Sequence, residues 1–414
     1  MAYPGMSVRW RIAAAASLLH LGLGTIYAWS FFQRPVMALH GWSNAQVVWT
    51  FSLAICSLGV AAAVGGLLLP RWGPRRLAVL GGVLYALGHL AAAYALGSGQ
   101  LWPLWLGFGV LGGSGLGLAY VVPVATVARW FPDRPGLATG LVVMGFGLGA
   151  LVMSKLAAPA VLEWCGGSLP TCFLLLGAAY LVVLPLLALP LRDPPEGSGA
   201  APAQAASAVW PLLRRAVFIR LWLAFACSIA AGIMLIGFQS PLLQDLLGMA
   251  DPTLGPAALA AAGATLIGIG SAANGGGRLL WGGLSDRLGR SRTLRIILAV
   301  QALAFAGMLA MPAPWPFAIL VGVVLLCYGG AFGTVPALVR GLVGPAAMPI
   351  AYGVLLTSWS VAGIAGPQLA ALVRDHVAPA DQLAWVAAGG LSFAILGLVA
   401  AWTVEERDGG AAGR

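Results

Sequence analysis

The sequence predicts an all-α integral membrane protein, with twelve transmembrane helices arranged in two six-helix halves. Three observations predict it. Of 414 residues, 60% are hydrophobic and only 8% charged; a soluble domain carries about 25% charged residues, so too little polar surface exists here to face water on every side. The apolar residues come in blocks of roughly 20 or more, the length at which a helix crosses ~30 Å of hydrocarbon. The cations fall in the gaps between blocks, overwhelmingly in every second gap, as the rule of cytoplasmic positive charge requires.

In chain order the blocks cover 12–33, 44–69, 77–97, 102–128, 136–162 and 170–190, then 221–244, 256–284, 296–312, 315–339, 348–373 and 382–403. The first opens after Arg9 and Arg11, and no small-residue cleavage site stands out after it. It reads as a first span and not a removable signal. Glycine is abundant, at 58 residues, which suits helices that approach closely in a membrane. Most loops are short. The exception follows block six, where LRDPPEGSGAAPAQAASAVWPLLRR runs from Leu191 to Arg215. This stretch divides the chain into an N-terminal half (1–191), a cytoplasmic linker (192–215) and a C-terminal half (216–414).

Placing both termini inside puts eighteen of the 22 Lys and Arg residues in inner segments. Only Arg34 and Arg374 fall in outer segments, and Lys155 and Arg278 lie within spans. The bias predicts a multi-pass protein of the cell inner membrane with cytoplasmic termini. The net charge of +10 is thereby accounted for by topology. No basic stripe with interleaved aromatics appears, so nucleic acid is not an expected partner. The expected surroundings are the lipid bilayer, with the chain acting as a monomer.

The two halves echo each other. Block five reads GLATGLVVMGFGLGALVMSKLAA and block eleven IAYGVLLTSWSVAGIAGPQLAA. Aligned on Gly140 and Gly353, both end in L-A-A, and Phe146 falls opposite Trp359. The loops after blocks two and eight also correspond: GLLLPRWGPRR from Gly66 and GGLSDRLGR from Gly282. Parallel six-span repeats around a midplane site characterise one large transporter architecture.

On these residues the chain resembles the major facilitator superfamily, whose loop signature is G-x-x-x-D-R-x-G-R. Gly282, Asp286, Arg287, Gly289 and Arg290 match it in full. In the first half Gly66, Arg71 and Gly73 match, while Pro70 replaces the acid and Pro74 the last arginine, with Arg75 and Arg76 following. The loop Asp is expected to meet helix-end amides and an arginine, latching an inner gate, and the missing acid predicts a weaker first-half latch. Within the superfamily the chain is similar to the oxalate/formate antiporter and monocarboxylate transporter branch. The stretches that carry this are GTIYAWSFF from Gly24, GLAYVVPVATVARWFPDRPGLATGL from Gly117, NGGGRLLWG from Asn274 and CYGGAFGTVP from Cys327. The resemblance implies a central cavity for a small carboxylate, faced by Arg278 and by Tyr27, Tyr120, Tyr328 and Phe332. It also implies a lysine in span eleven for the oxalate carriers; here Trp359 stands in that place, which directs the expectation toward monocarboxylates such as formate, lactate or pyruvate.

Arg278 carries the sharpest signal from the residues themselves. It lies eight residues before Asp286, about 12 Å in from the end of its span at about 1.5 Å per residue. An arginine at that depth costs about 2.5–3.5 kcal/mol on insertion scales, so it faces a cavity or a partner. No acid in its own span neutralises it, and Asn274 one turn earlier offers only an amide. A guanidinium so placed suits a carboxylate, which it can grip with two hydrogen bonds. A structural arginine bonded to carbonyls is the alternative. Trp359 and the tyrosines could line the same cavity or simply pack. Lys155, the single lysine, either draws anions inward or extends its stem to the interface. His20 and His89 lie within spans as proton relays or as neutral, hydrogen-bonded residues. Cys165 and Cys172 share one loop, as a disulfide or as two free thiols.

Gly107 to Gly112 formally fits G-x-G-x-x-G, but inside an apolar span this is helix packing and not a dinucleotide fingerprint. No metal, nucleophile or phosphate-loop motif is present in the sequence, and neither an enzymatic function nor a cofactor is expected. The expectation is a carrier of a small organic anion working by alternating access. An oxalate/formate exchanger, a carrier of a non-carboxylate solute and a membrane sensor are the alternatives; a sensor would need a soluble output domain, and the longest loop is the linker.

Overall fold

The computed structural model describes residues 6–131, 135–194, 209–211, 213–402 and 404. Residues 195–208, most of the expected linker, lie outside the described residues, as do Arg134, Arg407 and Arg414. Among the described residues there are twelve helices long and apolar enough to span a membrane. They are α1 (Val8–His40), α2 (Asn44–Trp72), α3 (Pro74–Ser98), α4 (Leu101–Trp130), α5 (Ala138–Trp164), α6 (Leu169–Ala188), α7 (Ala216–Ala250), α8 (Pro256–Leu288), α9 (Arg290–Ala310), α10 (Pro314–Gly344), α11 (Ala347–His376) and α12 (Pro379–Trp402). No strand occurs among the described residues, and the chain is a multi-pass membrane protein.

The helix ends follow local chemistry. Ser43 and Gln46 form a reciprocal capping box at the start of α2, which satisfies two amides that the helix leaves unpaired. Pro74, Pro256 and Pro314 occupy first turns, where a missing N–H is harmless. Several helices outrun the expected blocks: α7, expected over 221–244, runs Ala216–Ala250. Amphipathic end turns beyond the hydrocarbon add no hydropathy signal. α1 is interrupted by a 3₁₀ turn over Gly24–Ala28, which tightens the backbone where Tyr27 is carried. The echoing loops share a backbone device: Gly73 and Gly289 sit at φ 74° and 87° between α2/α3 and α8/α9, a region that side chains with a Cβ avoid.

The outer surface is apolar. Leu303, Ile319 and Val399 are 72%, 68% and 67% exposed, an exposure of large aliphatics that lipid accommodates and water does not. Within the halves α3 packs on α6 and α4, and α8 on α10. Between them α2 packs on α11 and α5 on α8. Ser271 on α8 donates to the Gly147 carbonyl of α5 at 2.6 Å and accepts from the Leu151 amide at 2.9 Å.

Candidate functional site

The centre of the bundle is built around Arg278. Glycines on α10 set its position: a Cβ on Gly329 would fall onto the Asn274 carbonyl, and one on Gly333 onto the Arg278 carbonyl. α10 therefore lies directly on α8 and brings Tyr328 and Phe332 to the same level. Arg278 is wholly buried. Its Nε donates to Asn274 Oδ1 at 3.3 Å, and its guanidinium carbon sits 5.0 Å from the Phe332 ring centre and 5.6 Å from that of Phe146. Its two terminal nitrogens meet no acceptor in the protein within hydrogen-bond geometry.

The expected aromatic residues converge here. Trp359 is fully buried and packs against Phe332, Tyr120 and Tyr27 with ring centres 4.5, 5.2 and 6.3 Å apart. The hydroxyls of Tyr27 on α1 and Tyr328 on α10 hydrogen-bond across the two halves. Arg278 is in electrostatic reach of Tyr27, Tyr120, Tyr328, Tyr352 and His20. The hydroxyls of Tyr120 and Tyr352 and the indole N–H of Trp359 are buried without a partner in hydrogen-bond geometry. Leaving a buried donor unpaired costs about 1–3 kcal/mol, so this cluster of donors around one cation is suited to a small acceptor-rich anion.

Three residues of this centre were not selected from the sequence as its lining. Phe146 stands 5.9 Å from Trp359, ring centre to ring centre; the internal alignment had paired these positions without revealing that they meet. Tyr352 precedes the Gly353 used for that alignment and gave no signal of its own. His20 was recognised only as a titratable group within a span.

The space beside Tyr27, Gln239, Ser271 and Asn274 amounts to about 10 Å³, room for about one water. The halves also touch at both ends of the bundle. Near Asp286, α2 and α11 touch so closely that a Cβ on Gly66 would stand 2.7 Å from the Pro349 carbonyl oxygen. At the opposite end Asp375 accepts from Asn44 and from the Ala45 amide at 3.0 and 3.2 Å. There Asp245 of α7 also pairs with Arg34 of α1 and, at 2.7 Å, with Arg374 of α11. A cleft of about 900 Å³ adjoins this end, lined by Ser30, Arg34, Leu169, Ser240 and Gln244 among others.

The loop-signature residues lie apart from the centre. Asp286 and Arg290 approach to 3.9 Å with both side chains more than a third exposed, and Arg290 also donates to the Ala337 carbonyl. Gly282 faces Gly333, Gly289 supplies the turn, and Arg71, Arg75 and Arg287 are exposed. Lys155 does not reach the centre: its ammonium donates to Thr265 of α8 at 2.7 Å. Cys165 and Cys172 are free thiols. No cluster that could hold a metal occurs among the described residues.

The sequence profile of the Major Facilitator Superfamily matches residues 13–367. The chain belongs to the major facilitator superfamily. It is a transporter of that superfamily and not an enzyme. An oxalate:formate antiporter of Oxalobacter formigenes is 27% identical over 89% of this chain and 85% of its own. The human monocarboxylate transporter 11 is 30% identical over 89% of this chain and 77% of its own. The crystal structure of a single-site mutant of the nucleoside transporter NupG superposes with a TM-score of 0.67 at 14% identity, covering 96% of this chain and 98% of that one; at this identity the likeness concerns the fold. The superfamily's two-half architecture accounts for the echoing loops and the facing Phe146 and Trp359.

Proposed function

We propose that the protein carries small organic anions, monocarboxylates foremost, across a cell inner membrane by alternating access, with Arg278 as the anchor of the anion. The observation that carries this reading is a fully buried guanidinium whose two terminal nitrogens make no hydrogen bond of good geometry to the protein, with the Tyr120 hydroxyl close by. Tyr120, Tyr352 and Trp359 offer further donors around it that make no hydrogen bond of good geometry, and Asn274 orients it from one turn away. Tyr27, Tyr328 and Phe332 wall the anion. The names of the relatives, an oxalate:formate antiporter and a monocarboxylate transporter, agree with this chemistry. In this proposal the halves 1–191 and 216–414 rock as units about the centre, with both termini cytoplasmic. The Gly282–Arg290 loop, with Arg71 and Arg75 opposite, shapes the inner gate. The closed rings part on one side at a time, and the chain works as a monomer.

The test is counterflow in proteoliposomes with labelled formate, lactate, pyruvate, oxalate and succinate. At least one monocarboxylate is expected to accumulate, and Arg278→Gln and Arg278→Lys are each expected to lower the rate by about tenfold or more, since lysine keeps the charge but loses the planar fork. Accumulation of none of the five would refute the anion reading. Normal rates in R278Q would remove Arg278 from its role.

A further inference from the structure

Resting on the anion reading above, we propose that His20 is a second, titratable cation of the same site. The charge of the anion carried then follows its protonation: a monoanion with His20 neutral, a dianion with His20 protonated.

His20 lies on α1, two turns before Tyr27, and is wholly buried. Its Nδ1 stands 3.1 Å from the Val142 carbonyl oxygen of α5. Its Nε2 stands 3.0 Å from the Tyr120 carbonyl oxygen of α4. Carbonyl oxygens only accept. A neutral imidazole has a single N–H, so either tautomer would press a lone pair against an oxygen; the imidazolium donates at both nitrogens. The two carbonyls therefore favour the charged ring, while burial and the nearby Arg278 oppose it, so the charge is open to control by a bound anion. The ring also ties three helices together at the level of the site.

The ring is placed to act on the anion. It stacks on Tyr120 at 4.8 Å with a 16° tilt and meets Phe146 edge-on at 5.8 Å, and both of those rings pack on Trp359. Among the described residues, no acid of the neighbouring helices is recorded in contact with it. α4 offers Tyr120 and α5 offers Val142 and Phe146; α6 places Leu184 against nearby Gly22; the charged group in reach is Arg278 of α8. With His20 neutral the centre carries one positive charge. When His20 takes a proton from water and its second N–H forms, the centre carries two. Two cations without a carboxylate repel, and a dianion offsets both. By linkage, protonation favours the dianion and the dianion favours protonation to the same degree. For charges about 10 Å apart at an effective dielectric of ~20, one added charge shifts affinity by about tenfold.

The experiment follows quenching of intrinsic tryptophan fluorescence in purified full-length protein in nanodiscs, titrated with formate and with oxalate between about pH 5.5 and 8. Carboxylic acids ionise near pH ~4, so both ligands hold their charge in this window. The oxalate-to-formate affinity ratio is expected to rise about tenfold as the pH falls in the wild type, and to stay flat in His20→Gln. A flat wild-type ratio, or an equal rise in H20Q, would overturn the role of His20 while leaving the anion reading intact. Binding of no carboxylate at any pH would overturn both. Should H20Q not fold, ¹⁵N resonances of histidine-labelled wild type decide. Saturating oxalate at about pH 7 is expected to convert one ring to the doubly protonated form, and an unchanged set of rings refutes the proposal.

Discussion

At the scale of single residues, Trp359 is the position where exchange for a cation is expected to shift the choice between monoanion and dianion. It fills the centre between Tyr27, Tyr120, Phe146 and Phe332. Lysine in its place would exchange a large ring for a narrow stem and a charge. A unit charge about 6 Å from an anion at an effective dielectric of ~20 interacts by roughly 3 kcal/mol. Desolvation of the ammonium and repulsion from Arg278 oppose this, so a net gain of about tenfold for oxalate relative to formate is expected in Trp359→Lys. Inhibition of counterflow by the two anions measures it. An unchanged ratio in well-expressed protein would place Trp359 outside the substrate's path.

At the scale of elements, the decisive contact is the one that holds α1 against α7. The two cations that depart from the sidedness of the rest, Arg34 and Arg374, share the single carboxylate of Asp245. Arg34 also donates to Gln244 and to the Pro241 carbonyl, so removing the charge leaves some bonds in place. The groups are partly exposed, and such pairs contribute about 1 kcal/mol or less. That is enough to move a gating equilibrium several-fold without unfolding the protein. In Asp245→Asn the end carrying Asp251 is expected to open more often. A cysteine at Ser240, in the adjoining cleft and in a background with Cys56 and Cys165 replaced by Ala, should react about three- to fivefold faster with a thiol reagent. Equal rates in the two proteins would mean that this ion cluster does not latch the gate.

At the scale of the whole molecule, sidedness is the property to test. The cation bias of the sequence predicts Asp251 outside and position 198 inside. Asp251 itself is suited to a wet loop, since the Thr253 hydroxyl and amide both donate to its carboxylate and hold its ionisation below the usual carboxylate range. In whole cells, in a background with Cys56 and Cys165 replaced by Ala, an impermeant maleimide is expected to label Asp251→Cys and to spare Ser198→Cys. The opposite pattern would invert the membrane orientation and with it the assignment of inner and outer gates.

Hydropathy and charge spacing in the sequence were enough to determine twelve spans, and the match of the Gly66 and Gly282 loops was enough to show two related halves. These are local quantities, because a span is chosen by its own apolar length and a loop glycine by its own φ. Arg278 was legible for the same reason: an unpaired charge at midspan is costly wherever the other helices lie. The contacts at the centre were not legible. That Phe146 meets Trp359, that Tyr27 reaches Tyr328 across the halves, and that Asp245 gathers Arg34 and Arg374 depend on helix rotations set by packing between residues hundreds of positions apart. The same holds for His20. Any histidine in a span is titratable, but only the approach of α4 and α5 sets a carbonyl oxygen before each of its nitrogens, and that arrangement is invisible in the sequence.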